Sequence, residues 1–194
     1  MPTAKGPLYK VAFRRRRENR TDYRKRFGQI KAEAPRLVVR ASNKGVLAQF
    51  VSFAQEGDKT LAQARGPELD AMGWLAQANA PTAYLVGYLA GSRAKKGGIK
   101  AFHTDIGLST PSKGRILFAA AYGARDAGLA AELGEGLIDA KRMSGEHIAA
   151  YAKELKASNP AKFGKLFSRY AAKNIDVTAL PALFEKTKAR IASG

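Results

Sequence analysis

Few residues in this chain of 194 could take part in acid–base or metal chemistry. It has two histidines, His103 and His147, and no cysteine. His103 and Asp105 stand two positions apart in a segment that we predict to be a strand, so they would share one face. A metal-dependent nuclease needs several converging carboxylates, and in the central region only Asp58, Asp105 and Asp126 could be assembled into one. Their spacing does not force them together, so we favour structural or surface roles for all five residues.

Sequence signatures of common enzymes are also missing. The chain has no G-x-x-x-x-G-K-[ST], no G-x-G-x-x-G after a strand and no G-x-S-x-G. The run Ser144-Gly145-Glu146-His147 matches no known catalytic constellation. Without cysteine, disulfide frameworks and cysteine-type zinc sites are excluded. We therefore predict a protein that is not an enzyme and that has no cofactor and no metal.

The charge of the chain indicates a polyanionic partner. Lys and Arg number 34 against 16 Asp and Glu, a net charge of +18. Such an excess repels itself in a compact fold unless a polyanion neutralises it. No apolar run reaches the roughly 18 residues that a membrane span needs, and the first residues lack the apolar stretch of a secretory signal. We therefore expect nucleic acid as the partner, no membrane, and a cytoplasmic location, which agrees with the lack of cysteine.

Half of the net charge lies in the first sixth of the chain. Residues 1–31 contain eleven Lys or Arg and two acids, and the densest run is FRRRRENRTDYRKRF, from Phe13 to Phe27. Four adjacent arginines point around a helix axis, and each planar guanidinium can bind phosphate through two nitrogens. We therefore interpret residues 1–34 as a basic arm that contacts RNA.

Four aromatic residues interleave with the charge of the arm. Tyr9, Phe13, Tyr23 and Phe27 could stack on unpaired bases, or they could anchor the arm to the rest of the chain. Tyr23 and Phe27 have the i, i+4 spacing of one helix face, so we favour anchoring.

Residues 35–130 form the predicted body, in which strands alternate with helices after an initial meander. The predicted strands are 36–41, 46–53, 59–64 and 99–106, and the predicted helices are 66–78, 81–94 and 114–127. This order indicates an α/β domain with a mixed sheet. Residues 131–194 are interpreted as a linker and a basic helical extension, with Ser144 as the N-cap of its first helix.

One loop of the body could hold an anion. Residues 112–115 join a strand to a helix N-terminus, where free backbone N–H groups favour negative charge. Lys113 and Arg115 add positive charge. A phosphate contact and an exposed helix cap are equally compatible with this local sequence.

Four segments, in order, resemble the archaeal form of the large-subunit ribosomal protein L-eighteen family, whose eukaryotic branch is called L-five. The arm from Phe13 to Arg26 matches F-R-R-R-R-E-x-x-T-D-Y-x-K-R, and the hairpin from Arg36 to Lys44 matches R-L-x-V-x-x-S-N-K. Gly114-Arg115 and 124–129 resemble the family's next helix. The segments 143–155 and 167–170 resemble an extension that bacterial members lack. In one departure, Lys113 stands where bacterial members have histidine.

The resemblance implies a three-layer α/β fold with a mixed sheet and no catalysis. It also implies binding to 5S rRNA, contacts to 23S rRNA in the central protuberance, and a neighbouring ribosomal protein L-five of the bacterial and archaeal type. The residues that we expect to contact RNA, with Lys95 and Lys96 added from charge and position alone, are Arg14, Arg15, Arg16, Arg17, Arg20, Tyr23, Arg24, Lys25, Arg26, Ser42, Asn43, Lys44, Lys95, Lys96, Lys113 and Arg115.

Two alternatives remain open from the residues alone. One is an RNA chaperone or nucleoid-type protein that binds polyanions without preference. The other is a nuclease that uses Asp105 and a bound metal. In the ribosomal interpretation, the arm is disordered in the free protein and becomes ordered between RNA segments.

Overall fold

A four-stranded sheet forms the centre of the protein, whose computed structural model describes residues 6–193. The strands are β1 (Arg36–Ser42), β2 (Gly45–Ser52), β3 (Lys59–Arg65) and β4 (His103–Asp105). Their order across the sheet is β3-β2-β1-β4. The first two neighbouring pairs are antiparallel, whereas β1 and β4 run parallel. The predicted α/β class with a mixed sheet is confirmed.

Strand β1 has one apolar and one charged face. Leu37 and Val39 are fully buried, and the alternation of side chains along a strand turns Arg36, Val38 and Arg40 to the opposite face. Two long helices, α3 (Ala80–Lys96) and α4 (Ile116–Asp126), supply most of the other buried side chains of the body. The charged face of β1 is therefore the one left for the arm.

Helices α3 and α4 approach each other so closely that their backbones touch. A Cβ atom built on Gly87 would overlap the carbonyl oxygen of Ala120, and one built on Gly123 would overlap that of Tyr84. Only glycine fits at such a contact, because any other residue would push the two helices apart. This pair of glycines therefore sets the short distance at which α3 and α4 pack.

The C-terminal extension packs against the body. After the segment that follows α4, its helices are α5 (Ala140–Ser144), α6 (Glu146–Ser158), α7 (Pro160–Leu166), α8 (Ser168–Ala172) and α9 (Leu180–Ser193). Phe184 of α9 lies between Trp74 and Tyr84, with ring centroids 6.2 and 5.3 Å away. Lys188 lies over the ring of Tyr84, 5.3 Å from its centroid. Arm, body and extension are kept below as names for the three segments.

Three predicted elements differ from the structure. The helix predicted for 66–78 is a short 3-10 helix, Gly66–Met72, which ends because Gly73 adopts the left-handed conformation. The strand predicted for 99–106 has only three residues in the sheet. Ser144 is not an N-cap, because it ends α5, and Gly145, with φ of +86°, is the cap of α6.

The arm contains two helices and contacts the body through the second one. They are α1 (Arg14–Arg17) and α2 (Tyr23–Lys31). The Asp22 side chain caps α2 by accepting hydrogen bonds from two backbone N–H groups. Gln29 of α2 donates to the backbone oxygen of Thr104 in β4 over 3.4 Å. The arm therefore contacts β4, the strand at one edge of the sheet.

Candidate nucleic-acid interface

A chain of ion pairs joins the arm to the charged face of β1. One carboxylate oxygen of Asp58 accepts from Arg26 of α2 at 2.9 Å and from Arg36 at 2.7 Å. Asp105 in turn accepts from Arg36 at 3.2 Å and from Arg40 at 3.4 Å. The Arg36 side chain is only 5% exposed, and a buried cation requires such partners. Three arginines and two aspartates thus position α2 on the sheet.

The carboxylates that could have formed a nuclease site have other partners. The fold does bring Asp58 and Asp105 together, but around Arg36 instead of a metal. Asp126 lies on α4 and accepts a hydrogen bond of 2.6 Å from the Tyr84 hydroxyl; burial and this hydrogen bond raise the pKa of Tyr84. His103 and His147 are exposed. No group of three or more metal-ligating side chains occurs within residues 6–193.

Replacing Asp58 by Asn is expected to loosen the arm and leave the body folded. The pair that joins Asp58 to Arg26 of α2 is partly exposed on both sides, so its loss should loosen α2 by about 1 kcal/mol or less, while Arg36 keeps Asp105 as an acidic partner. We expect hydrogen exchange of α2 to rise roughly fivefold, measured by mass spectrometry, with little change in β1 and β2. Glu56→Gln makes the same charge change on the same exposed turn and should leave α2 unaffected. Equal exchange in both variants would contradict this role of Asp58.

A basic cleft of about 510 Å³ lies between the arm and the body. Six cationic side chains and two aspartates contribute to its lining, namely Arg15, Arg20, Lys25, Arg26, Arg36, Arg40, Asp22 and Asp105. The excess of cations over acids makes the cleft attractive to phosphate. Four of the six cations were predicted as contacts, whereas Arg36 and Arg40 were not.

The arginine run of α1 is turned to solvent. All four residues, Arg14–Arg17, are exposed. Arg14 pairs with Glu18 at 2.9 Å, and Nε of Arg15 donates to the hydroxyl of Thr21 at 2.9 Å. Arg20, Arg24 and Lys25 are exposed as well. The run can therefore meet phosphates on more than one side, as the sequence predicts.

The aromatic residues of the arm behave in two ways. Phe13 packs against Tyr23, with ring centroids 5.3 Å apart, so this pair joins the two parts of the arm. Phe27 is 61% exposed and has Lys31 over its ring at 5.2 Å. The prediction that these aromatic residues anchor the arm to the rest of the chain is therefore wrong for Phe27, and the ring contact of Tyr23 lies within the arm itself.

The predicted hairpin tip and helix-start loop emerge at the same end of the sheet. Ser42, Asn43 and Lys44 are exposed where β1 turns into β2. Because β1 and β4 run parallel, the chain that follows β4 leaves from that same end. Lys113 is exposed on this following segment. Arg115, also exposed, donates to the backbone oxygen of Thr110 at 2.9 Å, so its guanidinium helps to hold the loop.

The remaining two predicted contacts lie elsewhere. Lys95 and Lys96 are exposed at the end of α3, and the chain passes from there to the start of β4. The start of β4 pairs with Arg36, the first residue of β1. These lysines are therefore at the end of the sheet opposite the hairpin tip, and the fold does not group them with the other predicted contacts of the body.

Sequence reasoning missed the ion-pair chain, although one signal of it was present. Arg36 and Arg40 flank Val38 at alternate positions of β1, so a charged face could have been predicted from strand periodicity. The acidic partners, Asp58 and Asp105, are 22 and 69 residues from Arg36, and no local pattern connects them.

As for membranes, no helix within the described part of the chain is long and apolar enough to cross one.

Comparison with known proteins identifies the family. Residues 8–100 match the family described as ribosomal large subunit proteins 60S L5 and 50S L18. The chain is 45% identical to large ribosomal subunit protein uL18 of Metallosphaera sedula over 192 residues, 98% of each chain. Its identity to uL18 of Ignicoccus hospitalis is 45%, covering 97% of this chain and 93% of the relative. For uL18 of Methanothermobacter thermautotrophicus the identity is 44%, covering 97% of both.

These relatives share their length and much of their sequence with the chain, including the C-terminal extension beyond the family match. They are structural proteins of the ribosome and not enzymes, which agrees with the prediction made from the missing catalytic motifs. The chain therefore belongs to the family of large-subunit ribosomal proteins that comprises 60S L5 and 50S L18.

Proposed function

We propose that this large-subunit ribosomal protein binds 5S rRNA and helps to attach it to 23S rRNA in the central protuberance. The observation that carries the proposal is the basic cleft with the exposed arginines of the arm beside it. The cleft faces one RNA segment, and the outward side of α1 is available to a second. A protein that joins two RNA molecules needs two such surfaces.

The hairpin tip supports the same proposal. Ser42, Asn43 and Lys44 project from the sheet at the end where Lys113 is also exposed. Phosphate contacts from such loops fix the register of a protein on RNA. The neighbouring ribosomal protein L-five is proposed as the protein partner from the family resemblance alone. The archaeal relatives are proteins of the large ribosomal subunit, and the ribosome of archaea is cytoplasmic.

The proposal is tested by measuring the affinity of the full chain for 5S rRNA and for a length-matched scrambled RNA across a salt series. We expect both affinities to fall with salt, with a slope of roughly −0.7 or steeper per phosphate contact. The preference for 5S rRNA should remain at high salt, at about 4 kcal/mol or more. Equal binding that falls in parallel for both RNAs would instead indicate a chaperone without preference.

A further inference from the structure

The cleft between the arm and the body has two chemically different walls. The arm wall carries Arg15, Arg20 and Lys25. The body wall carries Arg36, Arg40 and Asp105 and, in the segment after β4, an apolar part formed by Ile106 and Leu108, which is called the apolar wall below. We propose that this cleft receives one unpaired nucleotide of the bound RNA, with its base on the apolar wall and its phosphate on the arm wall. The proposal rests on the proposed RNA-binding function and specifies the ligand of that site.

The volume of the cleft favours a single nucleotide over a double helix. At about 510 Å³, it falls within the range of pockets that enclose small ligands, roughly 300–1,000 Å³. A duplex keeps its bases paired and stacked, so it offers no single base to a pocket of this size. Proteins that recognise RNA sequence usually take unpaired nucleotides whose bases have left the stack. A single unpaired nucleotide therefore suits the size and charge of the cleft.

The arm wall provides cations that can accept a phosphate. Nε of Arg15 donates to the Thr21 hydroxyl, and within residues 6–193 Arg15 has no acidic partner. Arg20 pairs with Glu18 at 3.2 Å while its side chain remains 65% exposed. Lys25 is 4.0 Å from Asp22 and 60% exposed. These loose surface pairs can exchange a carboxylate for a phosphate at small cost.

The apolar wall is held in place before any RNA arrives. Asp105 accepts a hydrogen bond of 2.7 Å from the backbone N–H of Gly107. Gly107 has a φ of +65°, and a Cβ atom there would lie 3.1 Å from the guanidinium carbon of Arg40. The next residue, Leu108, is 51% exposed. An exposed apolar side chain next to a held backbone, beside cations, offers apolar surface that the flat face of a base could cover.

Gly28 offers a way to fill the cleft without changing its charge. Gly28 lies in α2 and lines the cleft, and no atom comes within 4 Å of a Cβ built on it. We expect Gly28→Leu to lower the affinity for 5S rRNA roughly tenfold, the scale of one lost base-stacking contact. Gly28→Ala should lower it less and Gly28→Phe more. Gly164→Leu, at a helical glycine of α7 that also has open space, should bind as the unmodified protein does.

A second test shortens one of the two side chains of the apolar wall and compares the result with a control. Leu108→Ala should lower the affinity for 5S rRNA roughly fivefold, because apolar surface that would cover the base is lost. The salt slope should stay unchanged, because no phosphate contact is lost. Leu166→Ala is the matched control, since Leu166 is 54% exposed on α7, outside the cleft lining. Circular dichroism would establish that all six cleft and control variants are folded.

The outcomes separate this proposal from the proposed function. If the unmodified protein prefers 5S rRNA while Gly28→Leu and Leu108→Ala bind as tightly, the nucleotide pocket is overturned and 5S rRNA binding stands. Equal losses in Gly28→Leu and Gly164→Leu would overturn the pocket too. If the unmodified protein shows no preference for 5S rRNA, the proposed function itself fails.

Discussion

Removal of residues 1–27 should weaken binding to 5S rRNA on the order of a thousandfold at low salt and leave the body folded. Residues 14–26 contain eight Lys or Arg, and the salt slope should become shallower by roughly 0.7 for each phosphate contact that is lost. The deletion removes the pair between Arg26 and Asp58, but Arg36 keeps both of its aspartates. Filter binding across a salt series and circular dichroism of the truncated chain measure the two effects.

A matched set of charge changes shows whether position matters as well as charge. Changing all four residues of α1, Arg14–Arg17, to Gln removes four positive charges from the arm. The control changes four exposed lysines of the extension to Gln, which removes four positive charges outside the arm. These lysines are Lys153, Lys156, Lys162 and Lys165. We expect the arm variant to lose at least ten times more affinity than the extension variant. Equal losses would mean that RNA binding depends only on total charge. For the truncated chain, a circular dichroism spectrum of an unfolded protein would show that the body does not fold without the arm.

Replacing Gly87 by Ala should destabilise the free protein by about 3 kcal/mol or more. The added methyl group would overlap the carbonyl oxygen of Ala120, and backbone atoms in a packed pair of helices cannot move aside without opening the core. The cost should exceed the roughly 1 kcal/mol that Ala gains over Gly in a helix. Urea unfolding, followed by fluorescence of the buried Trp74, the only tryptophan, measures the change.

Gly164→Ala is the control for this substitution. Gly164 is also helical, but no atom lies within 4 Å of the position that the Ala methyl group would occupy, so only the helix preference for Ala remains. We therefore expect Gly164→Ala to be neutral or slightly stabilising. If both variants unfolded at the same urea concentration, the close approach of α3 and α4 would not hold in solution.

Much of the fold and part of the interface could be predicted from local sequence. The turn at Asn43 and Lys44 separates two runs of alternating apolar residues, which is why both strands and their hairpin were predicted nearly to their ends. The helix from Ala80 to Lys96 has Pro81 at its start and cations in its last turn. The 3-10 helix was predicted as a longer helix because Trp74 and Leu75 continue the apolar pattern that begins at Leu69. In the structure both residues are buried beyond the end of that helix.

By itself, the sequence determined a net charge of +18 and its concentration in the arm, from which a polyanionic partner is predicted. Charge and its clustering are properties of composition, which folding does not alter. Only the tertiary structure decided where that charge acts, because parallel pairing of β1 and β4 brings Asp105 to Arg36 and the turn before β3 brings Asp58. Residues so far apart meet through strand pairing, which periodicity within each segment does not encode. The cleft exists for a related reason, since its lining comes from the arm and from the segment around β4, which are far apart in the chain.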